Sequence, residues 1–174
     1  MALTGRTAAA ALLGALAVLG FRTWAALVAV NAVLLAAILA DLMLAASVRR
    51  LGVTRSGDTR VLLGESASVA VTVYNPDRRP LRAQLRAAWP PSAHAEPGQV
   101  ALVVAAGGQA TAAGTLTPDR RGDKVSPTVI VRSFGPLGLA ARQGRHDVPW
   151  SVRVLPPFGS RRHLGEKLSQ LRQL

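Results

Sequence analysis

Hydrophobic and polar positions divide the chain into an apolar N-terminal part and a longer part with a two-residue period. Residues 7–21 (TAAAALLGALAVLGF) and 24–46 (WAALVAVNAVLLAAILADLMLAA) are apolar on every side, and only Arg22 and Thr23 separate them. The second run reaches the roughly 20 residues that a helix needs to cross the hydrocarbon core of a membrane. Helices that are apolar all round, with no polar face, are not typical of a soluble bundle. The pattern predicts a transmembrane helical hairpin within residues 1–47.

The first apolar run also has features of a secretory signal peptide. Arg6 would form its basic region, and the alanine-rich stretch would form its apolar core. A cleavage site near Trp24-Ala25-Ala26 would then lie directly against another apolar segment. This awkward arrangement favours the hairpin over the signal peptide.

Basic residues near the helix ends predict the orientation of the hairpin. Arg6 precedes the first helix, Arg49, Arg50 and Arg55 follow the second, and Arg22 alone lies in the turn. Cytoplasmic flanks carry the excess of Lys and Arg in membrane proteins. We therefore expect a multi-pass protein of the inner (plasma) membrane with both termini in the cytoplasm.

Asp41 is the one acidic residue within the second apolar run. Charged residues inside a membrane usually have a partner or reach the interface. Counted from the turn, Arg6 and Asp41 lie at similar depth, which suggests an intramembrane pair between the helices, with Asn31 adding a hydrogen bond deeper in. The alternative is that Asp41 reaches interfacial water without a partner.

From residue 48 onward the spacing changes to the alternation of β-strands. In SVAVTVYN (68–75) every second residue is valine, and the following Asn75-Pro76-Asp77 is a turn signal. Such short strands separated by turns predict an all-β, immunoglobulin-like sandwich over residues 48–158, without the Cys-Trp-Cys hallmark. Residues 159–174 return to helical leucine spacing and predict a short C-terminal helix or a linker to a missing domain. The other predicted strands are 51–55, 81–88, 100–105, 110–117, 126–132, 139–147 and 150–155.

Composition limits the classes of function. The chain has no cysteine, which excludes disulfides and thiolate metal sites. Its net charge is +12, and of its 21 Lys and Arg residues only Arg6 and Arg22 precede residue 48. Such a surplus permits binding to anionic lipids, acidic proteins or nucleic acid, although a GC-rich genome also produces arginine-rich chains. With 3 Phe, 1 Tyr and 3 Trp, aromatic residues for base stacking are scarce, so no nucleic acid is expected.

Candidate catalytic chemistry is sparse. His94, His146 and His163 are isolated in sequence, and no zinc-binding spacing, nucleophile elbow or phosphate-binding loop is present. We therefore predict no enzymatic activity, no cofactor and no metal. Arg120 and Arg121 would suit an anion-binding fork, but a charged hairpin turn closed by the following glycine is the favoured interpretation.

The order of these features resembles the N-terminal part of the bacterial domain of unknown function 58 family. The resemblance rests on two close membrane helices followed by LGESASVAVTVYNPDRRPL, DRRGDKVSPTVIVRSFGPLGLAAR and VRVLPPF. Two positions depart from the family pattern: Ser133-Phe134-Gly135 stands where an Asp is usual, and Asp123-Lys124 replaces an aromatic residue. The matching motif residues, interpreted as structural, are Gly64, Glu65, Asn75, Arg120, Arg121, Gly122, Pro136, Gly138 and Leu139.

This resemblance implies a membrane component linked to a MoxR-type AAA+ ATPase in an assembly or chaperone-like system. Family members continue into a von Willebrand factor A-like domain, so we expect a fragment or a truncated member, with any metal-ion-dependent adhesion site outside this chain. The resulting hypothesis is a membrane-anchored, non-enzymatic scaffold or adaptor whose partners are membrane lipids and that ATPase. The alternative is an exported cell-envelope binding module held by its N-terminal hairpin.

Overall fold

Two apolar α-helices form the N-terminal part of the protein. The computed structural model describes residues 2–21 and 23–156, and its helices are α1 (Gly5–Phe21) and α2 (Trp24–Leu44). Thr23 caps α2, because its hydroxyl accepts a hydrogen bond from the Ala26 N–H at 3.3 Å. Both helices begin and end close to the predicted positions.

Of the helices in the described part of the chain, α2 alone is long and apolar enough to span a membrane. The helix α1 is apolar but shorter. A helix such as α2, near the N-terminus, fits either a membrane anchor or a signal sequence. The structure therefore supports one candidate span where the sequence predicted two.

The two helices approach each other closely at a glycine of α1. A Cβ atom added to Gly14 would lie 2.5 Å from Cγ1 of Val30, so the helices approach closely at this glycine. The predicted interhelical hydrogen bond of Asn31 is wrong, because its Nδ2 donates to the Leu27 carbonyl within α2 at 2.9 Å. Large apolar side chains on both helices are exposed: Leu12, Leu13, Leu16, Leu19, Trp24, Val28, Val33, Leu35, Leu39 and Met43.

The remaining described residues form a two-sheet β-sandwich, as predicted. The first sheet has the order β1-β10-β9-β5-β7, with β3 added parallel to β10, and the second has the order β2-β4-β8-β6. All other strand pairs are antiparallel. The strands are β1 (Ala2–Leu3), β2 (Gly52–Gly57), β3 (Arg60–Leu62), β4 (Ala67–Tyr74), β5 (Leu81–Ala87), β6 (Ala95–Glu96), β7 (Val100–Val104), β8 (Gln109–Leu116), β9 (Gly122–Phe134) and β10 (Ala140–Leu155).

One strand replaces two that the sequence separated. The predicted strands 139–147 and 150–155 are both part of β10, whose register with β9 shifts between Asp147 and Trp150. Pro149 lies at this shift, and proline has no N–H to donate to the sheet. The sequence pattern therefore predicted the irregularity between Asp147 and Trp150 correctly, but the prediction that a strand ends there is wrong.

The segment between α2 and β2 completes the core of the sandwich. Ala46, Val48 and Leu51 are buried in one cluster with Val73 and Val131, which come from opposite sheets. Burying a valine or leucine side chain stabilises a fold by roughly 1.5–3 kcal/mol. The helices are thus continuous with a segment that belongs to the core. The predicted C-terminal helix, 159–174, lies outside the described residues.

Candidate functional site: the junction between helices and sandwich

The carboxylate of Asp41 joins the end of α2 to the sandwich. Asp41 is fully buried, and its Oδ1 accepts a hydrogen bond from the Leu137 N–H at 2.8 Å. Its Oδ2 accepts two more, from the N–H groups of Leu139 at 2.7 Å and Ala140 at 3.0 Å. Leu137 and Leu139 belong to the loop between β9 and β10, whose residues 135–139 we call the junction turn, and Ala140 is the first residue of β10. Because three backbone N–H groups satisfy the carboxylate, its negative charge is stabilised without an arginine.

The N-terminal end of α1 binds the same turn from its carbonyl side. The hydroxyl of Thr4 donates to the Gly138 carbonyl at 2.6 Å, and the hydroxyl of Thr7 donates to the Leu139 carbonyl. Nη1 of Arg6 lies 3.4 Å from the Leu137 carbonyl, to which it donates. Side chains at the start of α1 therefore bind the carbonyl groups of the junction turn, and Asp41 of α2 binds the N–H groups of the same turn.

This arrangement corrects the prediction of a direct pair between Arg6 and Asp41. Both residues lie at the same end of the hairpin, as the count from the turn suggested. However, the ion pairs within 4.0 Å in the described part of the chain do not include one between them. The two side chains are linked instead through the backbone of the junction turn. The alternative, in which Asp41 reaches interfacial water, is also wrong because Asp41 is fully buried.

Glycines allow the junction turn to approach the helices. A Cβ on Gly135 would collide with the carboxylate and the carbonyl oxygen of Asp41. Gly138 has a φ of +67°, and a Cβ there would lie 2.9 Å from Nη1 of Arg6. Pro136 and Leu139 are the other family-motif residues of the junction turn. The sequence predicted a turn between the strands at this position, but it did not predict that the turn contacts the helices.

Asn75 organises the loops beside the junction turn. Its buried Nδ2 donates to the Arg79 carbonyl at 2.8 Å and to the Ala105 carbonyl at 3.2 Å, while its Oδ1 accepts from the Asp77 N–H. The β4–β5 loop is thereby tied to the β7–β8 turn. In the same loop, Asp77 accepts a hydrogen bond from the Ser47 N–H at 3.2 Å, which connects the loop to the segment after α2.

The other motif residues lie at the opposite end of the sandwich. Gly64 and Glu65 lie in the β3–β4 turn, and Arg120 and Arg121 lie in the β8–β9 turn, directly before Gly122 at the start of β9. The strand β9 separates these turns from the junction turn by 13 residues, about 40 Å at 3.3 Å per residue. Gly64 and Gly122 have positive φ values of 95° and 109°. These are positions that favour glycine, which agrees with a structural role.

An exposed ion pair lies beside the β8–β9 turn. Arg153 Nε donates to Asp123 Oδ1 at 2.8 Å, and its Nη2 donates to Oδ2 at 3.1 Å. The hydrogen bond from Arg153 lowers the pKa of Asp123 below its usual value. This bidentate pair joins β9 to β10 at the end far from the helices.

Arg55 has a structural role in the sandwich. The sequence predicts it to flank the membrane, but it lies in β2 and reaches across to the other sheet. Its Nη2 donates to Ser126 Oγ at 2.9 Å and to the Thr128 carbonyl at 3.0 Å, and its guanidinium lies 5.6 Å from the Trp89 ring centroid. Burial lowers the pKa of Arg55. The sequence feature that indicates this role is the position of Arg55 two residues after Val53, which puts both side chains on the same inward face of β2.

The structure brings no catalytic constellation together among the residues it describes. Nε2 of His94 lies 3.4 Å from an Asp119 carboxylate oxygen, and both side chains are about half exposed. His146 lies on β10, and His163 is outside the described residues. Within the described ranges, no group of three or more His, Cys, Asp or Glu residues is arranged to hold a metal ion.

Comparisons with known proteins give only distant similarities. No family model and no curated protein matches the chain. The CARDB domain of a Pyrococcus furiosus protein, solved in complex with di-metal ions, is 14% identical with a TM-score of 0.43, covering 60% of this chain and 87% of that one. A FixG-related protein from Vibrio parahaemolyticus is 11% identical with a TM-score of 0.40, covering 60% and 95%. SSP-19, an MSP-domain protein like family member in Caenorhabditis elegans, is 11% identical with a TM-score of 0.38, covering 55% and 94%. Similarities at this level carry no functional conclusion.

Proposed function

We propose that the protein is a membrane-anchored, non-enzymatic scaffold or adaptor. In this proposal α1 and α2 cross the inner membrane as a hairpin, and the sandwich lies in the cytoplasm. The observation that carries it is the junction: the outer ends of both helices bind one turn of the sandwich. An antiparallel hairpin with both outer ends at one domain has both ends on one side of a membrane.

The surface of the helices supports their insertion into lipid. Leu13 and Leu19 on α1 and Trp24 and Met43 on α2 are each more than two-thirds exposed, at 68%, 71%, 79% and 73%. Apolar surface of this extent is uncommon on soluble proteins unless it meets a membrane or a partner. The 17 residues of α1 extend about 25 Å, which is at the short end of what spans a bilayer.

A basic face on the first sheet is suited to an acidic protein partner. Arg86, Ile130 and Arg145 are directly opposite one another on β5, β9 and β10, and both arginines are exposed. Arg82 and Arg132 extend this outer face, and the sheet that carries it contacts α1 and α2 through the junction turn. Complementary charge speeds association and selects partners. By its resemblance to the domain of unknown function 58 family, the chain would present this face to a MoxR-type AAA+ ATPase.

Co-purification from membranes tests the adaptor role. The full chain, cross-linked in its native membrane, is expected to recover an AAA+ ATPase. The variant Arg86→Glu/Arg145→Glu should lose that partner, whereas Arg120→Glu/Arg121→Glu, with the same charge change in the β8–β9 turn, should retain it. Failure to recover any ATPase, including when the chain is extended by the von Willebrand factor A-like domain of the family, would contradict this function.

The second candidate function is an exported binding module of the cell envelope. It is favoured by α2, because an apolar helix of this length near the N-terminus can be a signal sequence as well as a membrane span. Reporters fused after Leu174 separate the two functions. A reporter active only in the cytoplasm supports the adaptor, and one active only outside it supports the exported module.

A further inference from the structure

A basic pocket lies where the C-terminal end of α2 meets the sandwich. It has a volume of about 560 Å³, within the usual range for small-molecule sites. Its walls are the last turn of α2, the segment that follows it, the β4–β5 loop and one residue of β10. The charged side chains that line it are one aspartate, Asp77, and four arginines, Arg50, Arg78, Arg79 and Arg142.

Some of these charges hold the walls of the pocket in place. Oδ2 of Asp77 accepts the Ser47 N–H at 3.2 Å, and Oδ1 lies 3.5 Å from Nη1 of Arg50. Nη1 of Arg79 donates to the Met43 carbonyl at 3.0 Å. The pocket is therefore fixed to the last helical turn of α2, and its single carboxylate is already engaged.

Two other arginines have no acceptor in the described part of the chain. Neither Arg78 nor Arg142 makes a hydrogen bond or an ion pair with the residues that the structure describes. Arg142 is half-buried and is directly opposite the fully buried Ser133 in the β9–β10 pairing. Arg78 is exposed, but Arg142 has lost part of its contact with solvent, and charged side chains that leave solvent are normally paired. An anion bound in the pocket would supply an acceptor to Arg142 and lie within reach of Arg78.

We propose that this pocket binds the phosphate of an anionic phospholipid headgroup. The proposal rests on the membrane anchoring proposed above, because α2 ends at Leu44 and the pocket begins at Met43. A membrane-spanning α2 would place these arginines at headgroup depth. Guanidinium groups bind phosphate oxygens through paired N–H donors, and basic residues beside a membrane helix are attracted to anionic leaflets.

Lipid retention by the full chain tests the site. The protein is purified in detergent and titrated with phosphatidylglycerol or phosphatidylcholine, and bound lipids are counted by native mass spectrometry. We expect preferential retention of phosphatidylglycerol, and an approximately tenfold weaker affinity in Arg78→Gln/Arg142→Gln. The control Arg120→Gln/Arg121→Gln removes the same charge from the β8–β9 turn, at the opposite end of the sandwich, and should bind as the unmodified chain does.

Three outcomes overturn the proposal. They are equal retention of both lipids, an equal loss of phosphatidylglycerol in the control variant, and inorganic phosphate binding with the same dependence on Arg78 and Arg142 and displacing the lipid. The last outcome would identify a soluble anion as the ligand.

Flotation with phosphatidylcholine vesicles separates this proposal from the anchoring on which it rests. A chain that does not float refutes anchoring, whereas one that floats without preferring phosphatidylglycerol refutes the pocket alone.

Discussion

At the scale of single residues, Asp41 determines how the helices meet the sandwich. A buried carboxylate is costly unless hydrogen bonds replace its hydration, and Asp41 receives three from the backbone of residues 137–140. Those N–H groups depend on Asp41 in turn, because without it they would lose their acceptor at buried or partly buried positions. One side chain at the end of an apolar helix thus satisfies much of the loop between β9 and β10.

Replacing Asp41 with asparagine should destabilise the protein by about 2–4 kcal/mol. The variant removes the charge and places an amide N–H₂ among N–H donors. Chemical unfolding in detergent measures the loss. The control is Asp58→Asn, which alters an exposed carboxylate that accepts the Ser68 N–H at 2.7 Å. Equal small effects of the two substitutions would show that the Asp41 contacts do not stabilise the junction.

Gly135 has a matched control elsewhere in the chain. The change Gly135→Ala introduces a Cβ into the space of the Asp41 oxygens, and we expect a loss of about 1–3 kcal/mol in unfolding free energy. A Cβ at Gly98 meets nothing within 4 Å, so Gly98→Ala should be close to neutral. Melting temperatures of the two variants in the same detergent provide the measurement. Similar melting temperatures would mean that the turn can move away from α2 at little cost.

At the scale of elements, β9 and β10 connect the junction to the opposite end of the sandwich. The Asp123–Arg153 pair closes that opposite end, where both side chains are exposed and the energy of the pair is small. Since the pKa of Asp123 is lowered by folding, its contribution to stability is present above its unfolded pKa. It is lost as the pH falls through the lower, folded value.

The pKa of Asp123 offers a direct test of this pairing. In Arg153→Gln the carboxylate loses its charged donor, so its pKa should rise towards the ordinary value for aspartate. An NMR titration of the side-chain carboxyl in both proteins measures the change, with Arg145→Gln, on the same strand, as the control. An unchanged pKa in Arg153→Gln would show that the two side chains do not pair in solution.

The elements that the sequence predicted correctly are those with a long, regular period. Strand β4 alternates over eight residues and α2 is apolar over 21, so local pattern alone identified both. Strands β1, β3 and β6 were missed because two or three residues are too few to show a period. The contact of Asp41 with Leu137 spans 96 positions, and no local rule indicates such a partner. The sequence therefore revealed that Asp41 was unusual, but only the fold shows what it binds.

At the scale of the whole molecule, the cytoplasmic adaptor and the exported module predict opposite positions for the sandwich. The chain contains no cysteine, so single-cysteine variants can be labelled at one chosen site. Thr23 lies between the helices and Ser66 lies in the β3–β4 turn, and both are exposed. A membrane-impermeant maleimide applied to intact cells reacts only with sites outside the cytoplasm. The two variants Thr23→Cys and Ser66→Cys therefore report both ends of the molecule.

We expect labelling of Thr23→Cys in intact cells, and labelling of Ser66→Cys only after the membrane is opened. This result follows if both helices cross the membrane, because the junction turn holds their outer ends on the side of the sandwich. Labelling of Ser66→Cys in intact cells would favour the exported module. Protection of both sites until lysis would mean that the hairpin does not cross the membrane. The basic pocket would then have no bilayer surface at its mouth, so this result would also remove the basis for lipid binding there.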